Sequence, residues 1–570
     1  MDTLTVAYFS MEFAVDPKMP TYSGGLGILA GDAMRAAADL GIPAVAVTLL
    51  HRKGYFQQHL DSKGNQSESD VNWSPEEFLE LLSPRVLISM AGRQVQVQAW
   101  RYMVHGESGY SVPVYFLDTS LPENSPEDQS LTTYLYGGDT RYRLCQEVIL
   151  GFAGVAMLRA LGHRVVQAYH MNEGHSALVT LALFEEQSWG RSLDAIGVAE
   201  RAAVIQHCVF TTHTPLPMGH DAFPINLVRE VLGNERADFL MTSQCLTNGV
   251  LSMTNLAIKF SCYINGVSMR HEDISRTIFS NHKVNSITNG VHAMTWTSPA
   301  FRCLYDRFIP QWRRDNLYLK YALRIPLDEI RKTHTEAKLE LLAEVDRRTG
   351  IRLDPQVMTI GFARRATEYK RHDLLFYDLE QLRRIVRKGY PLQIIYGGKA
   401  HPRDEGGKAL IKKIYEAASA LKNCIPVVYL EEYDMSLAKT VCSGVDVWLN
   451  TPQKPHEASG TSGMKAALNG VPTFSILDGW WIEGHIEGVT GWSIGDGWQS
   501  ESNIGQEGFS LYNKLEQVIA PTYYKEPNQF ASIMRSAIAL NGSYFNAQRM
   551  ITQYLQNAYL HPANINIMSK

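Results

Sequence analysis

Short apolar runs bounded by glycine or polar clusters alternate along the chain with stretches whose apolar positions recur every three to four residues, the strand and helix periodicities respectively. Residues 4–10 read as a buried strand, after which Thr21-Tyr22-Ser23-Gly24-Gly25-Leu26-Gly27 opens a helical stretch reaching Leu40. Residues 43–50, 95–103 and 112–117 read as further strands, the last two with the polar alternation of an antiparallel or edge region. A helix is predicted from Asp139 to Ala160, then a strand over 165–170, a helix over 175–184 and a strand over 204–212. A helical region starts near Met253, and the charged helical run 327–348 reads as a solvated connector. A second series begins at Val357, with strands over 357–362, 392–396, 427–430 and 445–449. Two such blocks predict an α/β protein of two Rossmann-like, doubly wound domains facing each other across a central cleft. The expected domains are 1–297 and 298–545, followed by a helical tail, 546–570, that packs back on the N-terminal domain.

Composition narrows this picture. At 570 residues the chain exceeds what one core organises, and 45% apolar with 20% charged residues is ordinary for a globular enzyme. A net charge of -4 leaves no broad basic surface, so nucleic acid is not an expected partner. The seven cysteines are scattered, odd in number and without a C-x-x-C pair, which predicts reduced thiols and a cytoplasmic protein. No signal peptide is expected in the first residues, no apolar run approaches membrane-spanning length, and no H-E-x-x-H supplies a metal site.

Candidate chemistry gathers where strands end, since ligands of open α/β sheets bind beyond the carboxyl ends of the strands. The loop at Gly24 to Gly27 is neither G-x-G-x-x-G nor a Walker sequence, and tight turns need glycine anyway. Two strands end in Met171-Asn172-Glu173-Gly174-His175 and Thr211-Thr212-His213-Thr214-Pro215; each histidine reads equally as a structural one. The strand at 357–362 runs into Arg364, Arg365, Lys370 and Arg371, placed where a phosphate pocket would be. Residues 456–470 set small residues and glycines ahead of Lys465, an arrangement that brings backbone N–H groups to an anion. A lysine inside that apolar pattern suits a desolvated, carbonyl-reactive amine; an N-capped helix with an exposed lysine accounts for the same residues.

Six stretches, in order, resemble the α-glucan (glycogen, maltodextrin or starch) phosphorylases of the short bacterial type: Gly24-Gly25-Leu26-Gly27, Asn172 to His175, Thr288-Asn289-Gly290, Arg364 to Arg371, Glu457 to Gly470 and Leu477-Asp478-Gly479. The resemblance implies a GT-B type glycosyltransferase that cleaves α-1,4-glucans with inorganic phosphate, releasing α-D-glucose 1-phosphate with retention. It also implies pyridoxal 5′-phosphate held by Lys465 as a Schiff base, its phosphate exchanging a proton with the substrate phosphate. Gly460, Thr461, Ser462 and Arg364 would hold the cofactor phosphate, and Tyr433 would contact that phosphate or the ring. Arg365 and Lys370 would bind the substrate phosphate, helped by the N–H of Gly25 in the Gly25-Leu26 loop. Glu457, Ser459, Asn289 and the His175 region would bind the sugar, and no metal is implied.

The sequence departs from the longer members, whose N-terminal extension carries activator and phosphorylation sites, so regulation of that kind is not expected. Ala14 stands where many members have an aromatic residue, Tyr136-Gly137-Gly138-Asp139 replaces a long gating loop, and Ser462-Gly463 is the short-type pattern. Trp480-Trp481 reads as core packing, with glucan stacking as the alternative. Family members are commonly homodimers, but much of the region that forms the dimer has no counterpart here, which leaves the oligomeric state open. Two rival readings remain: a nucleotide-sugar-dependent α-glucan synthase, which would need neither Lys465 nor a second phosphate site, and an inactive glucan-binding homologue.

Overall fold

The computed structural model describes residues 5–215 and 220–560; Leu4 of the first expected strand and residues 561–570 of the expected tail lie outside them. The chain divides into two compact units, one comprising residues up to Phe56, Asp70–Ile287 and the segment from Met550 onward, the other Gln57–Ser69 and Thr288–Arg549. The division between these units falls at Ile287/Thr288 and Arg549/Met550. The hairpin of Gln57–Leu60 and Gln66–Ser69 joins the second unit because its polar backbone and side chains find partners there: Gln58 N–H donates to Glu432 at 2.6 Å and Gln66 Nε2 to the Ala400 carbonyl at 2.9 Å. No local pattern announces that association.

The first unit is built on strands β1 (Val6–Phe9), β2 (Ala44–Leu49), β3 (Glu80–Met90), β4 (Arg93–His105), β5 (Ser111–Asp118), β6 (Ala168–Asn172), β7 (Cys208–Thr211), β8 (Tyr263–Gly266) and β9 (Asn285–Ser286), arranged β9-β8-β7-β6-β1-β2-β5-β4-β3. From β9 to β5 the pairings are parallel, and β1, β2 and β6 are buried throughout, as strands covered on both faces must be. β4 and β3 extend the sheet antiparallel; β3 alternates between more and less exposed positions, whereas β4, expected to alternate, is buried without a break over residues 97–100. The sequence pattern passes over β3 because Pro84 interrupts it; proline is tolerated there on an edge strand, beside a register shift between Leu81 and Arg85. Residues 204–207, expected as strand, close the helix Val198–His207, since an apolar run crossing from helix into β7 carries no period that separates the two. Strand order reverses between β1 and β6, so the glycine loop and the Asn172–His175 cluster flank that switch point.

The second unit carries β10 (Met358–Ala363), β11 (Leu392–Gly397), β12 (Val427–Leu430), β13 (Val447–Asn450), β14 (Thr473–Ile476) and β15 (Gly491–Ile494) in the order β12-β11-β10-β13-β14-β15, all parallel. This is the doubly wound order with its reversal between β10 and β13. The helix Leu327–Thr349 is not the expected solvated connector. Ile330, Ala337, Leu341 and Val345 are buried, and Lys338, only 3% exposed, reaches Asp446 at 2.6 Å, the Val357 carbonyl at 2.8 Å and Tyr523 Oη at 3.2 Å. Asp446 also receives His334 Nε2 at 2.8 Å and the Thr359 N–H at 2.7 Å, stitching the helix to the amino ends of β10 and β13. Burial would raise the Asp446 carboxyl, but Lys338 and His334 hold it below its usual range. Lys338→Met is therefore expected to cost about 3–5 kcal/mol in chemical denaturation by leaving a buried carboxylate with one cationic partner fewer. A cost below about 1 kcal/mol, typical of an exposed pair, would show that the stitch is dispensable. No helix among the described residues is long and apolar enough to cross a membrane.

Candidate active site

In the second unit the segments that leave β10 and β13 meet on either side of the reversal. Glu457 is 6% exposed and bridges two of the predicted cations: Lys370 Nζ lies 2.8 and 2.6 Å from its two oxygens, and Arg364 Nη1 lies 2.8 Å from Oε2. Burial alone would raise this carboxyl, yet Arg364 and Lys370 outweigh it and hold it down at about 2. Both cations assigned to phosphates thus share one carboxylate. Arg371 is taken up structurally by Glu507 at 2.6 Å and by the Thr451 and Pro452 carbonyls at 3.0 and 2.9 Å, while Arg365 is exposed beside the buried pair.

The turn after Glu457 needs its glycine. Gly460 has φ +73°, and a Cβ there would sit 3.4 Å from both Arg364 Nη2 and Glu457 Oε1. Leu477-Asp478-Gly479 braces the same turn: Asp478 Oδ2 accepts the Glu457 N–H at 2.9 Å, and Trp480 N–H donates to the Ser459 carbonyl at 2.9 Å. Any side chain at Gly479 would strike that carbonyl, 2.4 Å from where its Cβ would lie. Ser459 is buried, with its hydroxyl 3.3 Å from the Gly460 carbonyl.

The helix that follows is short, Ser462–Ala467, with Thr461 before it and no side-chain cap. Its first N–H groups have no intrahelical partner by construction. The Ser462 hydroxyl is engaged by Trp448 Nε1 of β13 at 3.1 Å, so Ser462 offers its backbone. Lys465 is buried at 7% exposure, and its Nζ lies 3.7 Å from the centroid of the Trp296 ring, which settles the choice left open above against an exposed lysine. Asn469 fixes that pairing by donating to the Trp296 and Lys465 carbonyls, both at 2.9 Å, and accepting the Ser298 N–H at 2.7 Å. Tyr433 packs over Gly397, its Cδ2 3.2 Å from where a Cβ would be, and against the apolar cluster that contains Cys442, whose thiol burial pushes up to about 12. Trp480 and Trp481 are 3% and 1% exposed, which makes them core residues and excludes a stacking surface. Asn289 Oδ1 is buried without a hydrogen-bond partner among the described residues.

In the first unit Gly25 and Leu26 begin the helix Gly25–Asp39. Sequence reasoning missed what organises this loop. Glu12, buried just after β1, accepts the Ser23 N–H at 2.6 Å, the Gly24 N–H at 3.2 Å and the Tyr136 hydroxyl at 3.0 Å; an acidic residue inside an apolar run was the available signal. A Cβ on Gly27 would lie 2.8 Å from Glu12 Oε2, and one on Gly31 2.1 Å from the Ala14 carbonyl, so packing explains these glycines. It does not explain Gly24 or Gly25, where a Cβ would meet nothing within 4 Å.

His175 Nε2 lies 3.1 Å from Asp221 Oδ2, and its ring packs against Tyr136. Glu173 was passed over as well. It has φ +76° and ψ 166°, a region that side chains other than glycine rarely enter, and it receives the His213 N–H at 2.7 Å and the Thr214 hydroxyl at 3.0 Å. Strain of this kind, costing about 1–3 kcal/mol, persists where surroundings enforce it and clusters at functional sites. Burial pulls His213 down to about 4, so it is neutral at pH 7.

Lys465, Thr461, Gly460, Glu457, Arg364 and Lys370 therefore belong to one neighbourhood of the second unit, and Gly25, Leu26 and His175 to the first. The donor set in the second unit, a buried amine with backbone N–H groups and guanidinium nearby, fits a ligand that carries both a carbonyl and a phosphate. Comparison with known proteins agrees. Residues 225–490 match the model of the carbohydrate phosphorylase family. The chain is 38% identical to the maltodextrin phosphorylase of Thermococcus litoralis, over 97% of this chain and 70% of that protein. It belongs to the α-glucan phosphorylase family. Within this family it is also 35% identical to the glycogen phosphorylase of Mycobacterium tuberculosis, with the same coverage of both chains. The glycogen phosphorylase of Aquifex aeolicus matches at 32% identity, over 97% of this chain and 86% of that phosphorylase.

Proposed function

We propose that this chain is an α-1,4-glucan phosphorylase: it transfers the terminal glucosyl unit of a maltodextrin, glycogen or starch chain to inorganic phosphate, releasing α-D-glucose 1-phosphate with retention. The observation that carries the reading is the convergence of Gly460, Glu457, Arg364 and Lys370 in the segments that leave β10 and β13, the second of which leads directly into the buried Lys465. Pyridoxal 5′-phosphate is the group these residues would hold, and when bound it supplies a phosphate monoester with a second pKa of about 6, suited to proton exchange with inorganic phosphate at cellular pH. Lys465 anchors it through its amine, with Trp296 limiting the amine's movement. Thr461, the backbone of Gly460 and Ser462, and Arg364 hold its phosphate, while Tyr433 closes one side.

Arg365 and Lys370 orient the substrate phosphate; in the first unit the exposed Gly25 offers its N–H as a donor to an anion, and a Cβ there would meet nothing within 4 Å. Glu457, Ser459, Asn289 and His175 take the sugar hydroxyls and the developing positive charge at the anomeric carbon. The partnerless Asn289 Oδ1 supports its assignment, since a buried acceptor without a donor is costly and a hydroxyl would relieve it. With phosphate as the acid, no carboxylate pair of the ordinary glycosidase kind is required. A two-domain GT-B type architecture belongs to the same proposal, supported by two sheets that each have their own reversal of strand order. The domain scheme 1–297, 298–545 and 546–570 belongs to the same proposal.

Arg365→Ala is expected to raise the KM for phosphate about ten- to a hundredfold, the worth of one or two charge-assisted hydrogen bonds, with the KM for glucan near the parent value. Unaltered phosphate dependence in that variant would reject the role given to Arg365.

A further inference from the structure

The long segment of the second unit opens at Thr288 and closes at Arg549, and its two ends are fastened to each other. Arg549 Nη1 donates to the Thr288 carbonyl at 2.6 Å and Nη2 to the Asn289 carbonyl at 2.9 Å. Its Nε donates to the Tyr544 carbonyl at 2.9 Å, and the guanidinium lies over the Tyr544 ring, 4.9 Å from the centroid. Alongside, the backbones pair: Val291 N–H donates to the Phe545 carbonyl at 3.1 Å and Ala547 N–H to the Val291 carbonyl at 2.9 Å. This approach explains Gly290, where a Cβ would lie 2.1 Å from the Asn546 carbonyl oxygen. The Asn546 side chain shapes the turn before Arg549, accepting the Arg549 N–H at 2.8 Å and donating to the Ser543 carbonyl at 2.6 Å.

The same residues reach the other stretch proposed to take the sugar. Phe545 packs edge-on against Trp480 at a centroid distance of 4.8 Å, and the Trp480 N–H is the donor that holds the Ser459 carbonyl. Thr288 Oγ1 donates to Glu483 Oε2 at 2.7 Å, in the short helix Trp481–Gly484 that follows Trp480. Packing and backbone pairing would hold these segments together without an arginine. A planar fork on the carbonyls of two successive residues does more: it fixes the peptide unit between them, and so the direction in which the Asn289 side chain leaves the backbone. The Oδ1 of that side chain is buried without a hydrogen-bond partner among the described residues.

We propose that Arg549 is a positioning residue for glucan recognition, fixing Asn289 through its contacts with the Thr288 and Asn289 carbonyls, while Phe545 of the same stretch steadies the Ser459 turn through Trp480. One piece of chain, residues 543–549, thereby holds two of the groups assigned to the sugar in a constant relation. The effect on kinetics rests on the proposed phosphorolysis; the effect on the backbone rests on the contacts alone, and the test separates the two.

In phosphorolysis of maltodextrin by the full chain, reconstituted with pyridoxal 5′-phosphate, Arg549→Ala should raise the glucan KM about tenfold or more, with the KM for phosphate near the parent value. Arg549→Lys should recover little of this, because an ammonium is a point charge where a planar fork met two carbonyls. Since Arg549 acts through Asn289, adding Arg549→Ala to Asn289→Ala should change the glucan KM by less than about twofold. Hydrogen exchange, followed by mass spectrometry on peptides covering 288–292 and 543–549, should be faster than in the parent in both Arg549 variants, because the paired Val291 and Ala547 amides lose their support. A glucan KM at the parent value in a folded Arg549 variant, an equal rise in both KM values, or full additivity with Asn289→Ala would overturn the positioning role. Should Arg549→Ala fail to fold, Arg549→Lys carries the same comparisons. Unchanged exchange in both peptides would overturn the clamp itself. A parent that releases no glucose 1-phosphate would refute the functional reading, and exchange alone would then decide whether Arg549 orders the Asn289 backbone.

Discussion

Lys465→Ala is expected to lose the pyridoxal chromophore and phosphorolysis together. The amine is buried on Trp296, and Asn469 ties the Trp296 and Lys465 carbonyls together. Positioned proton transfer supplies about 10²–10⁴ of an enzyme's rate acceleration, and removing the residue that anchors the transferring group should cost at least that much. The fold should survive, because alanine suits a helix interior and the side chain lost is one lysine. Absorption spectra and initial rates, measured on parent and variant after identical reconstitution with pyridoxal 5′-phosphate, check this. A variant that released glucose 1-phosphate at the parent rate would remove Lys465 from the account.

Glu457→Gln should have the second largest effect, and it acts on stability as well as activity. Glu457 neutralises two cations in a buried site, so the amide leaves Arg364 and Lys370 facing each other without a counter-ion, at a cost of about 3–5 kcal/mol. Inorganic phosphate should restore part of the loss, since an anion can take the carboxylate's place; its stabilising effect should be larger in the variant than in the parent. The pH dependence has a definite sign. The folded-state pKa of Glu457 is depressed to about 2 from the usual 4.5, so its contribution is fully present above the unfolded value and disappears as pH falls from there toward about 2. The parent should lose that contribution over this window and the variant should lack that component. Thermal melts across pH, with and without phosphate, decide; equal phosphate stabilisation of the two proteins would contradict the bridging role.

Several parallel strands were legible because, covered on both faces, they appear as unbroken apolar runs: β12 matches its expected bounds, and β10 and β11 differ by one residue, whereas the equally buried β14 and β15, only four residues long and carrying threonine, serine or glycine, were not expected. The proximity of the stretches proposed to hold phosphate was legible for a related reason, since a reversal of strand order places the residues after β10 and β13 side by side however far apart they lie in the chain. Contacts that depend on tertiary packing were not legible. Nothing local tells that Trp296 lies under Lys465 or that Lys338 in a charged helix is buried on Asp446. Glu173 was visible as a residue, but its positive φ was not, because nothing about a glutamate marks a backbone conformation normally left to glycine. The shared use of Glu457 by Arg364 and Lys370 was hidden for another reason: the resemblance assigned the three residues to different ligands, whereas in the protein they neutralise one another.

The most direct test of the central claim is phosphorus NMR of the full chain, reconstituted with pyridoxal 5′-phosphate and incubated with a ladder of maltooligosaccharides and inorganic phosphate. The account predicts accumulation of α-D-glucose 1-phosphate, dependent on pyridoxal phosphate and on a minimum oligosaccharide length. Formation of the β anomer, or consumption of glucan without any phosphorylated sugar, would contradict it.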